Sequence, residues 1–306
     1  MKISEKKKDT KNGKQRLPAR PREDFLRELR SLSGRETINL VLEQDRPREL
    51  VRRLSPEDFF WLVKKAGDED CLPLLELASD EQWQYLLDLE IWKRDRLSLD
   101  RNIQWITRLL EADPKRLARW MFSHGESMAF FLVFKEVQVK VRQEDDPAEA
   151  GNGFFTSDGV FYVRVRRERH RQVVRELLRI MADQDLLRYQ ALLAGASSVL
   201  PAELEEEMYR LRNVRLAERG FLPFEEAISI YAPLESARLK PTYSVQREFP
   251  GPADERATSS APLLPFYQAD ENSLLRKLAE TMKDHDFLDR IRLEFAGLCN
   301  QVISAD

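Results

Sequence analysis

Ser55-Pro56-Glu57-Asp58-Phe59-Phe60-Trp61-Leu62-Val63 returns twenty-four residues later as Ser79-Asp80-Glu81-Gln82-Trp83-Gln84-Tyr85-Leu86-Leu87. Ser55 aligns with Ser79, Glu57 with Glu81, Phe59 with Trp83, Leu62 with Leu86 and Val63 with Leu87. Each copy reads as the start of a short amphipathic helix. A serine oxygen accepts from the orphan amides of the first turn, Pro56 occupies N1 where its missing donor costs nothing, and Asp58 complements the exposed N–H groups. The apolar residues at the third and fourth steps then form one buried stripe. A third cap, Asp113-Pro114, opens a helix carrying Leu117, Trp120 and Met121. Units this short cannot each enclose a core, so stacking them side by side is the economical way to bury both flanks.

The same pattern extends outward. Trp61, Trp83, Trp92, Trp105 and Trp120 fall in this helical stretch, and rings at helical spacing are first of all core material. Upstream, a helix near Pro21–Arg22 would carry Phe25, Leu26 and Leu29, and a second stripe runs from Ile38, Val41 and Leu42 to Leu50. Residues 128–141 admit two readings: Met128–Phe134 continues a helix, while Val137, Val139 and Val141 alternate as a strand would. The clearest β signal is Phe154-Phe155-Thr156, then Ser157-Asp158-Gly159, then Val160–Val165, which predicts a hairpin. Helices are expected again over 167–183, 184–194, 201–218 and 223–231, with Gly220 ending one and Pro223 opening the next.

The fold class expected is mainly α: an irregular array of short antiparallel helical pairs, superhelix-like in its N-terminal part, with one small β-hairpin. The expected organisation is a disordered basic tail at 1–20, a helical repeat-like domain at 21–141, a linker at 142–153 and a hairpin-plus-helix domain at 154–240. A proline-rich connection follows at 241–269, then C-terminal helices at 270–306 whose apolar end reads as a truncation.

The chain has 306 residues and a formal net charge of -3. That balance exerts no global pull toward nucleic acid or an anionic membrane, although residues 1–22 alone carry +7 and leave -10 for the rest. Cys71 and Cys299 sit far apart among apolar neighbours and form no disulfide framework. The basic N-terminus lacks the apolar core of a secretory signal. The longest apolar run, Met128–Phe134, is far short of the ~18 residues of a spanning helix. No membrane span is expected, and the cytoplasm is the default.

Groups that carry chemistry are sparse. His124, His170 and His285 have no ligand spacing and neither cysteine has a CxxC partner, so no metal or cofactor is expected. Asp284-His285-Asp286 reads as solvated surface, and His124 as a helix-end residue. No serine sits in a G-x-S-x-G elbow, and Gly151-Asn152-Gly153 lacks the spacing of a phosphate loop. Acidic pairs such as Glu57/Asp58 and Asp80/Glu81 read as caps, although such clusters hold divalent cations weakly in other settings. The strongest charge run is Arg164, Arg166, Arg171, Arg175 and Arg179, with Arg167 and Arg169 between. Such a stripe meets phosphate in many proteins; here it is expected to pair with the chain's own carboxylates.

Two resemblances follow from these residues. Ser55–Leu89 resembles the N-terminal helical superhelix of bacterial MgtE-type magnesium transporters, whose helical hairpins repeat a motif of the form L-x-P-E-x-x-x-x-L-L. The matching residues are Leu54, Pro56, Glu57, Leu62 and Val63, then Glu81, Leu86 and Leu87. More broadly, the chain is similar to a bacterial family described only as a domain of unknown function, DUF6178. That likeness rests on Phe154–Gly159, on Arg215-Leu216-Ala217-Glu218-Arg219-Gly220-Phe221 followed by Glu226–Tyr231, and on Leu298-Cys299-Asn300-Gln301-Val302-Ile303. It implies a longer parent chain and supplies no activity, cofactor or catalytic residue.

The function expected is a non-enzymatic protein-interaction or regulatory module of a bacterial cytoplasmic protein, because stacked helices create extended faces for partners. One alternative is an enzyme whose pocket forms between helical parts, with Asp158, His170, Arg215, Glu218 and Arg219 as candidate residues. Another is a weak nucleic-acid binder acting through Arg164, Arg166, Arg171, Arg175 and Arg179. Oligomeric state is open.

Overall fold

The computed structural model describes Phe25, Glu28, Leu29 and residues 32–141, 153–196, 200–233 and 285–305. The basic tail, most of the 142–153 linker, the proline-rich connection, the helix expected from Glu271, Asp284 and the side chains of His285 and Asp286 lie outside these residues.

Thirteen α-helices dominate the described residues. The first six are α1 (Gly34–Leu42), α2 (Pro47–Arg53), α3 (Pro56–Ala66), α4 (Leu72–Leu77), α5 (Asp80–Glu90) and α6 (Leu99–Ala112). The repeat residues act as their chemistry dictates. Ser55 accepts the Asp58 amide at 3.2 Å, and Ser79 and Gln82 form a reciprocal capping box of the kind that satisfies two orphan donors at once. Phe59, Leu62 and Val63 are fully buried, as are Trp83 and Leu86. Gly67 ends α3 with φ +91, a conformation open to glycine because it lacks Cβ.

Helices two apart in the chain stack on each other: α1 on α3 and α3 on α5 in one layer, α2 on α4 and α4 on α6 in the other. Polar side chains lock the layers. The buried Gln82 amide donates to the Val51 and Leu54 carbonyls at 2.8 and 3.0 Å, capping the end of α2 from α5. The Trp83 indole donates to the Leu75 carbonyl at 3.0 Å, and the Arg116 guanidinium lies 3.8 Å from the centre of its ring.

A two-residue ribbon, β1 (Trp92–Lys93) and β2 (Arg96–Leu97), interrupts the helices between α5 and α6. Helices α7 (Pro114–Met121) and α8 (Glu126–Glu136) follow, then strands β3 (Val137–Val141) and β4 (Phe161–Val165). Gly125 lets the chain turn against Trp120: a Cβ there would stand 2.2 Å from the indole. Both readings of 128–141 hold in succession, helix then strand. The hairpin differs from expectation in its partner. β4 pairs antiparallel with β3, from Val137↔Val165 to Val141↔Phe161, whereas Phe155 forms only an isolated bridge to Val163.

The remaining elements are α9 (Arg171–Gln184), α10 (Leu186–Gly195), α11 (Pro201–Ala217), α12 (Phe224–Ala227) and α13 (His285–Ala305). The first of these begins later than expected, because Glu168–His170 forms a separate 3₁₀ turn. α9 packs on α7 and α10 on α8. One contiguous buried cluster runs from Phe25 to Phe221 and includes Trp83, Trp92, Trp105 and Trp120. Trp61 is the tryptophan left half-buried. No helix among the described residues is long and apolar enough to cross a membrane.

Candidate functional site

Trp61 marks a cleft of about 710 Å³, a volume in the range of ligand-binding clefts. α3 contributes Phe60, Trp61 and Lys64, and α6 contributes Arg101, Gln104 and Trp105. α11 presents Tyr209, Arg212, Asn213 and Leu216, residues at the i, i+3, i+4 and i+7 positions of one face. Phe224 of α12 and Val302–Ser304 of α13 close another side.

The ribbon tip forms one lip of this space. Arg94 has φ 57 and is the one non-glycine residue with positive φ among the described residues. Such a conformation costs about 1–3 kcal/mol and persists only when its surroundings impose it. The strand pair Lys93↔Arg96 supplies that constraint, and the Arg94 guanidinium lies 5.6 Å from the Phe224 ring centre.

The cations of the cleft fall into two groups. Lys64 is engaged by Glu90 at 3.0 Å and Asp68 at 3.3 Å; burial would lower its pKa, but the two carboxylates reverse this and hold it raised. Arg212 lies over Trp92 and Tyr209 and donates to the Asp88 main-chain oxygen at 2.6 Å. Burial lowers its pKa, with Asp88 opposing. By contrast, Lys93, Arg94 and Arg101 are exposed, and none of them has an ion-pair partner among the described residues. Arg101 makes a long hydrogen bond to the Trp92 carbonyl at 3.5 Å.

The five pocket candidates read from the sequence do not line this cleft, and Asp158, His170, Arg215 and Arg219 each serve a separate contact set. The Asp158 carboxylate accepts the Val160 and Phe161 amides at 3.0 and 2.9 Å and the Gln190 amide at 3.1 Å. Burial pushes its pKa up, but these donors outweigh burial and hold it below the usual range. His170 is buried with Nε2 3.2 Å from Asp100 and Nδ1 3.1 Å from Glu136, the second contact lying off hydrogen-bond geometry. Arg167 and Arg169 neutralise the same two carboxylates. Arg215 grips Asp88 through two bonds of 2.7 and 2.8 Å. Arg219 reaches Glu57 at 2.6 Å and Glu81 at 2.5 Å, the two glutamates that the sequence repeat aligns. Glu218 is exposed beside them. The Arg215 and Arg219 contacts clamp the end of α11 onto α3 and α5.

In the arginine run, Arg171 pairs with Glu168 at 3.0 Å and Arg179 with Glu176 and Asp183 at 2.7 Å each. Arg166 donates to the Val137 carbonyl at 3.2 Å and Arg164 to Gln138 at 2.5 Å. Arg175 lies over the Phe155 ring, 4.9 Å from its centre.

Among the described residues of the cleft walls, Ser304 and the Tyr209 phenol supply the hydroxyl groups, and neither His124 nor His170, nor either cysteine, is there. Burial raises the Cys71 thiol to about 11, with Arg108 opposing, so it carries little thiolate near neutral pH. Among the described residues, no three His, Cys, Asp or Glu side chains converge as a metal site.

Sequence reasoning missed the cleft because its residues come from separate segments spread between positions 60 and 304. The local signal was Trp61, which reads with the other tryptophans as core material. The profile of the family described as "Family of unknown function (DUF6178)" matches residues 14–306. The chain belongs to the DUF6178 family. No curated protein and no solved structure matches it. The MgtE-type likeness of the helix caps has no counterpart in these comparisons, and no transporter property carries over to this DUF6178 member.

Proposed function

We propose that this DUF6178 member is a non-enzymatic protein-interaction module and that the aromatic cleft is where its partner docks. One observation carries the reading: exposed Lys93, Arg94 and Arg101 stand without ion-pair partners, among the described residues, around walls of Trp61, Trp105, Tyr209 and Phe224. Aromatic rings and arginine are the residue types that dominate binding energy at protein interfaces. Among the described residues, the same walls bring no Ser, Thr or Cys together with a His, the commonest nucleophile–base pairing of covalent catalysis. The pairing of Arg171 and Arg179 with carboxylates weighs against the arginine run as a phosphate-binding stripe.

The test compares the proteins retained in the native cell by the full chain, by Lys93→Glu/Arg101→Glu and by Arg171→Glu/Arg175→Glu. The cleft variant is expected to lose partners that the arginine-run variant keeps. Retention of every partner by the cleft variant would overturn the reading.

A further inference from the structure

The cleft continues past the ribbon tip. Arg94, Tyr209 and Phe224 also line an adjoining cleft of about 580 Å³, so the two spaces form one trough with Arg94 at its middle. The ends of the trough differ in charge. On the Trp61 side stand Lys93 and Arg101, exposed and without ion-pair partners among the described residues. On the other side stand Glu206 and Glu225, likewise exposed and without ion-pair partners among the described residues. Glu205, beside them, accepts the Leu97 amide at 2.8 Å and so fixes the ribbon against α11. Arg96 on this side is offset by Asp95 at 4.0 Å.

We propose that the trough receives one extended segment of a partner protein, with acidic residues and an aromatic anchor in the Arg101 end and basic residues over Glu206 and Glu225. This rests on the reading of the cleft as a docking site and specifies the occupant. Four arguments select it. Complementary charge fixes register and suppresses wrong partners more than it adds affinity, and a trough with two opposite ends selects for a ligand that changes sign along its length. A nucleic-acid strand is a uniform polyanion, and Glu206 and Glu225 would repel half of it. A compact small molecule would fill the aromatic end and leave the acidic end unused. An extended chain advances about 3.3 Å per residue, so a short segment reaches both ends and places alternate side chains into the walls.

The experiment is selection of short random peptides displayed against the full-length chain, followed by affinity measurement on the enriched peptides. The expected result is enrichment of peptides with Asp or Glu and an aromatic residue toward one end and Lys or Arg toward the other. Arg101→Glu and Glu206→Lys should each weaken these peptides about tenfold or more, with the loss growing smaller at high salt. Both positions are exposed, and unchanged far-UV circular dichroism confirms that each variant is folded. Enriched peptides that are purely acidic and indifferent to Glu206→Lys would overturn the two-signed segment and leave the cleft as a docking site. Peptides indifferent to Arg101→Glu, or no enrichment at all, would overturn both. Arg101-dependent binding of a DNA duplex, with no peptide enriched, would also overturn both.

Discussion

The arginine run from Arg164 to Arg179 and the cleft around Arg101 are both basic in composition, yet their charges are spent differently. In the run, Arg171 has a carboxylate three residues back in the preceding 3₁₀ turn and Arg179 has two within four residues on its own helix, while Arg167 and Arg169 reach Glu136 and Asp100. In the cleft, Lys93, Arg94 and Arg101 arrive from a ribbon and a helix start, where neighbouring carboxylates face elsewhere. Asp100, next to Arg101, is taken by Arg169 and His170. A dense run of one charge type is therefore a poor guide to the field, because helical spacing gives such a run ready partners. A third use of arginine lies between the two. Arg215 and Arg219 are half-buried and act as clamps between helices.

These three uses predict different responses to substitution. The largest is expected at Arg219. Arg219→Ala leaves the Glu57 carboxylate, 8% exposed, without its cation, and a buried charged acceptor left unpaired costs roughly 2 kcal/mol. The fall should appear as a lower denaturant midpoint at unchanged m-value. Arg219→Lys should recover part of it, since one ammonium cannot fork to both glutamates as a guanidinium does. A loss no larger than that of an exposed pair would break the distinction between clamp and run.

A smaller effect is expected at Asp158, which pins the turn leading into β4 and so the base of the arginine run. Its pKa is lowered in the fold, so its contribution is fully present above the unfolded carboxyl value near ~3.9 and is lost as pH falls through the lower folded value. Asp158→Asn should cost about 1 kcal/mol near neutral pH, a figure discounted for partial exposure. The gap between variant and wild type should close below pH ~4. A gap constant from pH 7 to pH 3 would show that the carboxylate charge is not what the turn uses.

The smallest stability effects separate the two basic regions most sharply in function. Arg171→Ala and Arg101→Ala should each change stability by no more than about 0.5 kcal/mol, since one loses an exposed ion pair and the other loses none. Thermal unfolding should barely distinguish them, while affinity for the partner should fall only for Arg101→Ala. Equal effects on affinity would erase the contrast.

What the sequence made legible was local. The caps at Ser55, Ser79 and Asp113 and the stripes behind them appear where read, because a cap needs only residues within one turn. The strand partner of Phe161–Val165 was not legible, since pairing is decided by which distant segment buries the same face. Asp158-Gly159 pointed to Phe154–Thr156, but the Asp158 carboxylate binds the amides that open β4, and Val137–Val141 supplies the ladder. The partners of Arg219 lie 162 and 138 residues upstream, and nothing in its neighbourhood indicates them. The ribbon was missed for another reason: its turn places Arg94 in a conformation usually signalled by glycine, and no glycine is there.

Site-specific photo-crosslinking in the native cell distinguishes the cleft from the arginine run as the surface that meets the partner. One crosslinking side chain would replace Gln104, on the cleft wall, and another would replace Gln172, exposed at the start of α9 within the run. A crosslinked partner is expected from position 104 and none from position 172. A partner captured from 172 and none from 104 would contradict this expectation.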